Sequence, residues 1–306
     1  MHQIDDPNAR RDAISAAPPA SPRFAVVLGT NEIASAIAVF LRRFGRAVVL
    51  SHDPLAPVIR RGMAFYDALY DDERLVETIA AMRIDSVSEL FDVAALRDRV
   101  AVTSLGLTDL LVLGQPDIIV DARMHKRSIM PRLRGLAGLT IGLGPGFTAR
   151  GNCDVAIETR PDRAGLVLRE GTTEPVAALP SLLGGIGAER FVYSKAPGRW
   201  RTALDIGARI FRGVIVGHHG GAAVKAPIDG ILRGLARDGI EIPAGVKLIE
   251  IDPRGRASKW TGIDERARGI AEAVVRAIML CEAERVLEGD LPARKRPCPA
   301  SNFFNE

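Results

Sequence analysis

The chain has 306 residues, 47% of them hydrophobic and 25% charged, which is ordinary globular composition with room for two or three domains. No apolar run approaches the roughly 20 residues of a membrane helix, and residues 1–22 lack the apolar centre of a signal peptide, so the expectation is a cytoplasmic protein with no membrane contact. A net charge of +4, spread thinly, argues against nucleic acid as a partner, and the three cysteines Cys153, Cys281 and Cys298 include no C-x-x-C pair for zinc or a disulfide framework.

In chain order, residues 1–22 read as a disordered lead-in. Phe24-Ala25-Val26-Val27-Leu28 is an apolar run ending at Gly29. From Asn31 to Phe44 the residues Ile33, Ala34, Ile37, Ala38, Leu41 and Phe44 recur at helical spacing, and Gly45 is a good stop. Ala47-Val48-Val49-Leu50 predicts a second buried strand, followed by His52-Asp53-Pro54. Strand, tight turn, helix, strand and acid open a Rossmann-like unit. Its turn reads Gly29-Thr30-Asn31-Glu32-Ile33-Ala34, with Asn31 where a dinucleotide fingerprint has its second glycine. The Asn side chain fills the space that lets a backbone approach a pyrophosphate. Asp53 can serve a ribose or simply begin an Asp-Pro turn.

Residues 71–110 mix helical periodicity with short apolar stretches and offer no site. Asp117-Ile118-Ile119-Val120-Asp121 predicts a further parallel strand, with Asp121, Arg123 and Lys126 at its carboxyl end, where open α/β sheets bind ligands. Next, over residues 139–148, a strand runs into a loop with three glycines in five residues, Gly142, Gly144 and Gly146 around Pro145. Such glycines let successive amides converge on an anion, and Pro145 stiffens the loop; a tight structural turn is the alternative. Asp154-Val155-Ala156-Ile157-Glu158-Thr159 alternates, which puts Asp154, Ala156 and Glu158 on one strand face. Those carboxylates suit a metal bridging to phosphate, hydrogen bonds from a heterocycle, or plain solvent. Cys153 beside them reads as filler or as a ligand.

The last third changes character. Short strands between Gly and Pro turns over 224–252 resemble the half-barrel hammerhead of biotinyl and lipoyl domains. The carrier lysine of that family is absent, because Asp252-Pro253-Arg254-Gly255 stands where the lysine hairpin would follow. The adjacent His218 and His219 are expected in a turn, and none of the five histidines shows metal-ligand spacing. Residues 263–286 predict one amphipathic helix. The expected layout is therefore a Rossmann-like α/β domain over 23–160, a β-rich hammerhead-containing domain over 161–258, a helix over 259–288 and a flexible tail over 289–306 that carries Arg294-Lys295-Arg296.

Six landmarks together resemble one family: 117–126 (DIIVDARMHK), 141–148 (IGLGPGFT), 154–159 (DVAIET), Glu170-Gly171 with Glu174-Pro175, 224–230 (VKAPIDG) and 251–254 (IDPR). Residues 264–270 (DERARGI) fit a further helical segment of it. They are similar to the YqeB-type proteins of the selenium-dependent molybdenum hydroxylase system, relatives of the xanthine dehydrogenase accessory proteins. The resemblance spans about residues 24 to 286 and departs at Gly29–Ala34, where the family has a Gly-Gly-Gly-Asp-Leu-Ala-like turn. It implies an accessory protein that binds or processes a molybdopterin-type cofactor and meets a molybdenum hydroxylase apo-enzyme. On that reading Gly29, Gly142, Gly144 and Gly146 face an anionic small molecule. Arg123 and Lys126 add positive charge beside Asp121, and Asp154 and Glu158 bind the pterin edge. Two other readings stand: an NAD(P)-dependent oxidoreductase seated at Gly29 and Asp53, and a non-enzymatic scaffold using the hammerhead module. No Tyr-x-x-x-Lys pair supplies the oxidoreductase with a proton donor.

Overall fold

A computed structural model describes residues 24–287, apart from 56, 71–72, 91–97, 113, 126–128 and 177–179. The first half places β1 (Phe24–Leu28), α1 (Glu32–Arg43), β2 (Ala47–Ser51), β3 (Arg74–Val76), β4 (Ile79–Arg83), β5 (Arg99–Thr103), α2 (Leu107–Leu111), β6 (Ile118–Asp121), β7 (Leu139–Leu143), β8 (Thr148–Ala149), β9 (Val155–Ile157), β10 (Val167–Leu168) and β11 (Gly171–Thr172). Nine of these strands form one sheet in the order β10-β9-β7-β6-β1-β2-β5-β4-β3. It is parallel from β9 to β4, with an antiparallel strand added at each edge. The chain builds outward from β1 through β2 and β5, then returns to the other side of β1 through β6, β7 and β9. That reversal leaves a switch point between the carboxyl ends of β1 and β6.

Both faces of the sheet are covered, which is why β1 and β2 are unbroken apolar runs with every residue buried. On one face α1 lies against the strands through Ala34, Ile37, Ala38 and Leu41. Its start is set by Asn31, whose side chain caps the first turn, and its end by Gly45 at φ +81°. The same core takes in Ala267, Ile270, Ala271, Val274 and Ile278 from α3 (Glu265–Leu287). The expected C-terminal helix thus packs on α1, and alanines on both sides let the two approach closely. On the other face the cover is mostly irregular chain: Leu133, Ala137, Phe147 and Cys153, with Leu110 of α2, pack on Val26, Val49 and Ile119.

The second half forms β12 (Phe191–Tyr193), β13 (Gly198–Arg201), β14 (Arg209–Ile210), β15 (Ile215–His219), β16 (Ala222–Lys225), β17 (Gly230–Leu235), β18 (Glu241–Ile242) and β19 (Lys247–Asp252). They make two four-stranded antiparallel sheets, β12-β19-β17-β14 and β16-β15-β13-β18, around Trp200, Leu232, Ile249 and Ile251. Ile59, from the segment after β2, joins this second core.

Three expectations meet a different geometry. Only Val155–Ile157 is strand, buried throughout, so Asp154 and Glu158 lie off its opposite ends and share no exposed face. The large sheet continues past 160 to include β10. His218 and His219 end β15, outside any turn, and the His219 ring stands 3.0 Å from the Gly198 carbonyl. The lead-in 1–22 and the basic tail cluster lie outside the described residues.

Candidate functional site at the switch point

Loops after β1, β2 and β6 meet at the switch point. Gly29 makes the meeting possible: at φ +111° its amide donates to Ser51 O at 2.7 Å, and a Cβ there would lie 3.1 Å from Ala122 O. Asn31 ties the same two loops, donating from Nδ2 to Ala122 O at 2.8 Å. Its Oδ1 accepts from the amides of Ile33 and Ala34, each at 3.0 Å. The amides that would hold a dinucleotide pyrophosphate are therefore taken by the chain itself, and Glu32 adds a carboxylate to that turn, paired with Arg60 at 3.0 Å.

Beside this filled turn stands a cluster of polar side chains. Thr30, itself buried, places Oγ1 3.0 Å from Nδ1 of His52. The His52 ring leans on Tyr66, with centroids 5.3 Å apart. Burial pulls His52 below its ordinary value of 6.5, against the pull of Asp53, so the imidazole is neutral at neutral pH. Burial also pushes the Tyr66 phenol upward, and Tyr70, 3.1 Å away, reinforces the shift. Asp53 Oδ1 accepts from the Leu55 amide at 3.2 Å, while Oδ2 lies 2.5 Å from His125 Nε2. His125 reaches it because Met124 turns the chain at φ +61°, a left-handed conformation uncommon outside glycine.

Asp121 closes β6 and is almost fully buried. It accepts from the Arg123 amide at 3.2 Å and in bidentate fashion from the guanidinium, Nε at 3.0 Å and Nη2 at 2.6 Å. This bonding to Asp121 raises the Arg123 pKa, burial notwithstanding, and fixes the side chain, with no hydrogen bond from Nη1 among the described residues. The site therefore offers a preset guanidinium, a histidine–carboxylate pair and a neutral histidine. Such a set can grip an anion at Arg123 and hold or move a proton at His125.

The glycine loop after β7 is a closed turn. The Phe147 ring lies against Gly142, where an added Cβ would meet it at 2.1 Å. Gly144 and Gly146 adopt φ +81° and +87°. The Gly144 amide donates to Ile157 O at 3.1 Å, and Thr148 N to Asn152 Oδ1 at 2.8 Å. Thr173 Oγ1 donates to Gly144 O at 2.5 Å, and Asn152 Nδ2 to Gly146 O at 3.0 Å. The Gly144 and Thr148 amides thus serve the turn, while the Gly146 and Phe147 amides have no acceptor among the described residues. The loop still borders the switch point, since a Cβ on Gly144 would sit 3.7 Å from Met124.

The carboxylates expected beside it are likewise engaged. Asp154 stands at the amino end of β9, accepting from Thr140 N at 2.9 Å, Thr140 Oγ1 at 2.6 Å and Arg134 Nε at 3.1 Å. Glu158, buried at the other end, accepts three backbone amides: Thr159 at 2.7 Å, Arg160 at 2.9 Å and Glu174 at 2.7 Å. Cys153 is fully buried, and burial pushes its thiol up to about 12, which makes it inert core. Of the sequence candidates, Gly29, Asp121 and Arg123 come together, Gly144 sits at the margin, and Gly142, Gly146, Asp154 and Glu158 serve local structure. Lys126 lies outside the described residues. Thr30, His52 and His125 were not among those candidates. Their signal was position, since each follows the carboxyl end of a parallel strand by one to four residues.

Cavities of about 390 Å³, against Leu182, Ile186 and Ile228, and about 380 Å³, against Glu77 and Trp260, lie away from this edge. Among the described residues no three His, Cys, Asp or Glu side chains gather as a metal-ligand set, and no helix is long and apolar enough to cross a membrane.

No family model matches the chain. It is 32% identical over 263 residues to the uncharacterised protein YqeB of Escherichia coli K12, across 86% of this chain and 48% of that protein. The chain thus spans about half the length of this relative. Among solved structures, the product-bound ectoine utilization protein EutE (DoeB) of Ruegeria pomeroyi covers 74% of this chain and 52% of its own, at 16% identity and a TM-score of 0.20. An aspartoacylase family protein of Mesorhizobium loti covers 76% and 86%, at 11% identity and a TM-score of 0.22.

Proposed function

We propose, with the likeness to YqeB as premise, that this chain is a cofactor-handling accessory protein that seats an anionic, molybdopterin-type ligand at the switch point for a molybdenum hydroxylase apo-enzyme. The observation that carries the reading is the convergence of Arg123, His125, Asp53 and His52 outside the carboxyl ends of β2 and β6. The donor set fits the group. Arg123 is a fixed cation for a phosphate, and Asp53 with the two imidazoles supplies acceptors and donors for a pterin's N–H edge. Such a ligand would bring redox-active metal chemistry; the protein's part is to orient it and hold a proton at His125. The NAD(P) reading is weaker, because Asn31 and Glu32 occupy the turn it needs. The hammerhead reading of the second module remains a proposal as well, and the absence of a carrier lysine in 252–255 favours docking over group transfer.

The test is to purify the chain, oxidise it, and read pterin fluorescence with elemental molybdenum. Retention that falls at least tenfold in Arg123→Ala and His125→Ala, with unfolding curves of both variants still cooperative, is the expected result. Absence of pterin and molybdenum together with tight NAD binding would replace this reading with the oxidoreductase one.

A further inference from the structure

The second module carries an apolar patch that the first module does not cover. From Phe211 to Ile215 every residue is exposed, although three of the five are large and apolar: Phe211 at 55%, Val214 at 43% and Ile215 at 48%. The stretch is rigid. Phe211 to Val214 forms a turn closed by Val214 N to Phe211 O at 3.1 Å, with Gly213 at φ +86°. Gly213 N donates to Ala226 O at 2.9 Å, Ala226 N to Val214 O at 2.8 Å, and Arg212 N to Asp229 Oδ1 at 2.6 Å. Held apolar side chains cannot fold away from water, so the exposure is a standing cost that a partner would relieve.

Around the patch stand three cations. Arg209 lies over the Phe211 ring at 5.5 Å, Arg212 is in the turn, and Lys225 is opposite Ile215 in the β15–β16 ladder. Among the described residues none of the three makes an ion pair, whereas exposed arginines elsewhere, such as Arg83, Arg169 and Arg201, stand on carboxylates. Asp229 is the acid at the patch, and one of its oxygens is taken by the Arg212 amide. Lys225 belongs to β16, which among the described residues pairs with β15 alone and has no strand on its other side along Ala222–Lys225. An open strand edge offers backbone donors and acceptors that another polypeptide can match and a lipid surface cannot.

We infer that the Phe211–Ile215 turn and the β16 edge form a docking surface for an extended protein segment that carries apolar and acidic side chains together on one face. The apolar residues would cover Phe211, Val214 and Ile215, and the carboxylates would meet Arg209, Arg212 and Lys225. Contact falls mainly on the second module, leaving the switch point free.

A 12-residue Val–Glu peptide, Thr-Val-Thr-Glu repeated so that Val and Glu share one strand face, serves as the probe, followed by fluorescence anisotropy on the full chain. The expected result is saturable binding that weakens with salt and drops at least tenfold in Arg209→Glu/Arg212→Glu/Lys225→Glu. That triple variant should instead bind the Val–Lys peptide, a gain that a misfolded chain would not show. Binding insensitive to the charge reversal, or no binding of the Val–Glu peptide, overturns the proposal. So does equal, charge-dependent capture by phosphatidylserine vesicles, which would make the patch a membrane contact. None of these outcomes touches pterin retention, so this surface and the switch-point site stand or fall separately.

Discussion

Two charged clusters in this molecule have similar ingredients and opposite character. Around Glu250, between the modules, every charge is spent inward. The carboxylate is fully buried and accepts from Arg60 Nε at 2.6 Å, Arg60 Nη2 at 3.0 Å and Arg190 Nε at 3.3 Å, with Arg233 Nε 3.9 Å away. Arg60 also reaches Glu32 on α1, so one guanidinium spans from the first module to the second. At the switch point, by contrast, Arg123, Asp53 and His125 are partly exposed and each side chain has only part of its bonding capacity filled by protein. A closed network holds modules together; an open one can accept a ligand. A shared local motif makes the contrast sharper. Asp252-Pro253-Arg254 repeats the Asp121-Ala122-Arg123 clamp, with Nε at 2.9 Å and Nη2 at 2.7 Å, but there Arg233 and Asp264 crowd in to complete the set.

The largest expected effect breaks the closed cluster. Glu250→Ala leaves Arg60, Arg190 and Arg233 facing one another without their shared carboxylate, and should cost about 3–5 kcal/mol of stability in urea unfolding. A loss below about 1 kcal/mol would mean the arginines find other partners and the network is no brace. Acid titration separates the clusters next. His52 has its pKa lowered by burial, so the unfolded chain binds a proton first, and stability should decline as pH drops below 6.5. Although burial favours its neutral form, Arg60 and Arg233 hold Glu250 below its usual 4.5, so its contribution persists to lower pH and is lost only beneath that value. Two acid steps in the wild type, with the upper one absent in His52→Gln, is the pattern to look for in melting temperature against pH. The smallest effect belongs to the open cluster: His125→Ala should change stability by less than about 1 kcal/mol, since Asp53 keeps its bond to the Leu55 amide and gains water. A loss above about 2 kcal/mol would make the Asp53–His125 pair structural.

Much of the first module was legible because its signals are local. Buried parallel strands read as apolar runs, α1 reads from its 3.6-residue period, and Asn31 and Gly45 mark its ends. The end of β6 was legible too, since Asp117–Asp121 reads as an apolar strand with polar ends. Inference from composition without partners reaches less far. Gly142, Gly144 and Gly146 read as an amide nest, yet a glycine kept for a packed ring and one kept for a free amide look the same in sequence; only Phe147 lying on Gly142 separates them. Asp154 and Glu158 looked like a pair because alternation extends a strand on paper, while the real strand stops after three residues and both acids turn to nearby donors. His52 and His125, 73 positions apart, carry no spacing signal at all, because the sheet topology joins them.

The return of α3 to α1 has a consequence for how the chain is made. Ile33, Ile37 and Leu41 share their core with Ile270, Val274 and Ile278, yet some 220 residues of polypeptide separate the two helices. During synthesis the early sheet emerges with that apolar side bare, while the whole second module is still being added behind it. Completion of the first module therefore waits on a helix made after the second module. Chaperone engagement should be heaviest in that interval and end when α3 clears the ribosome.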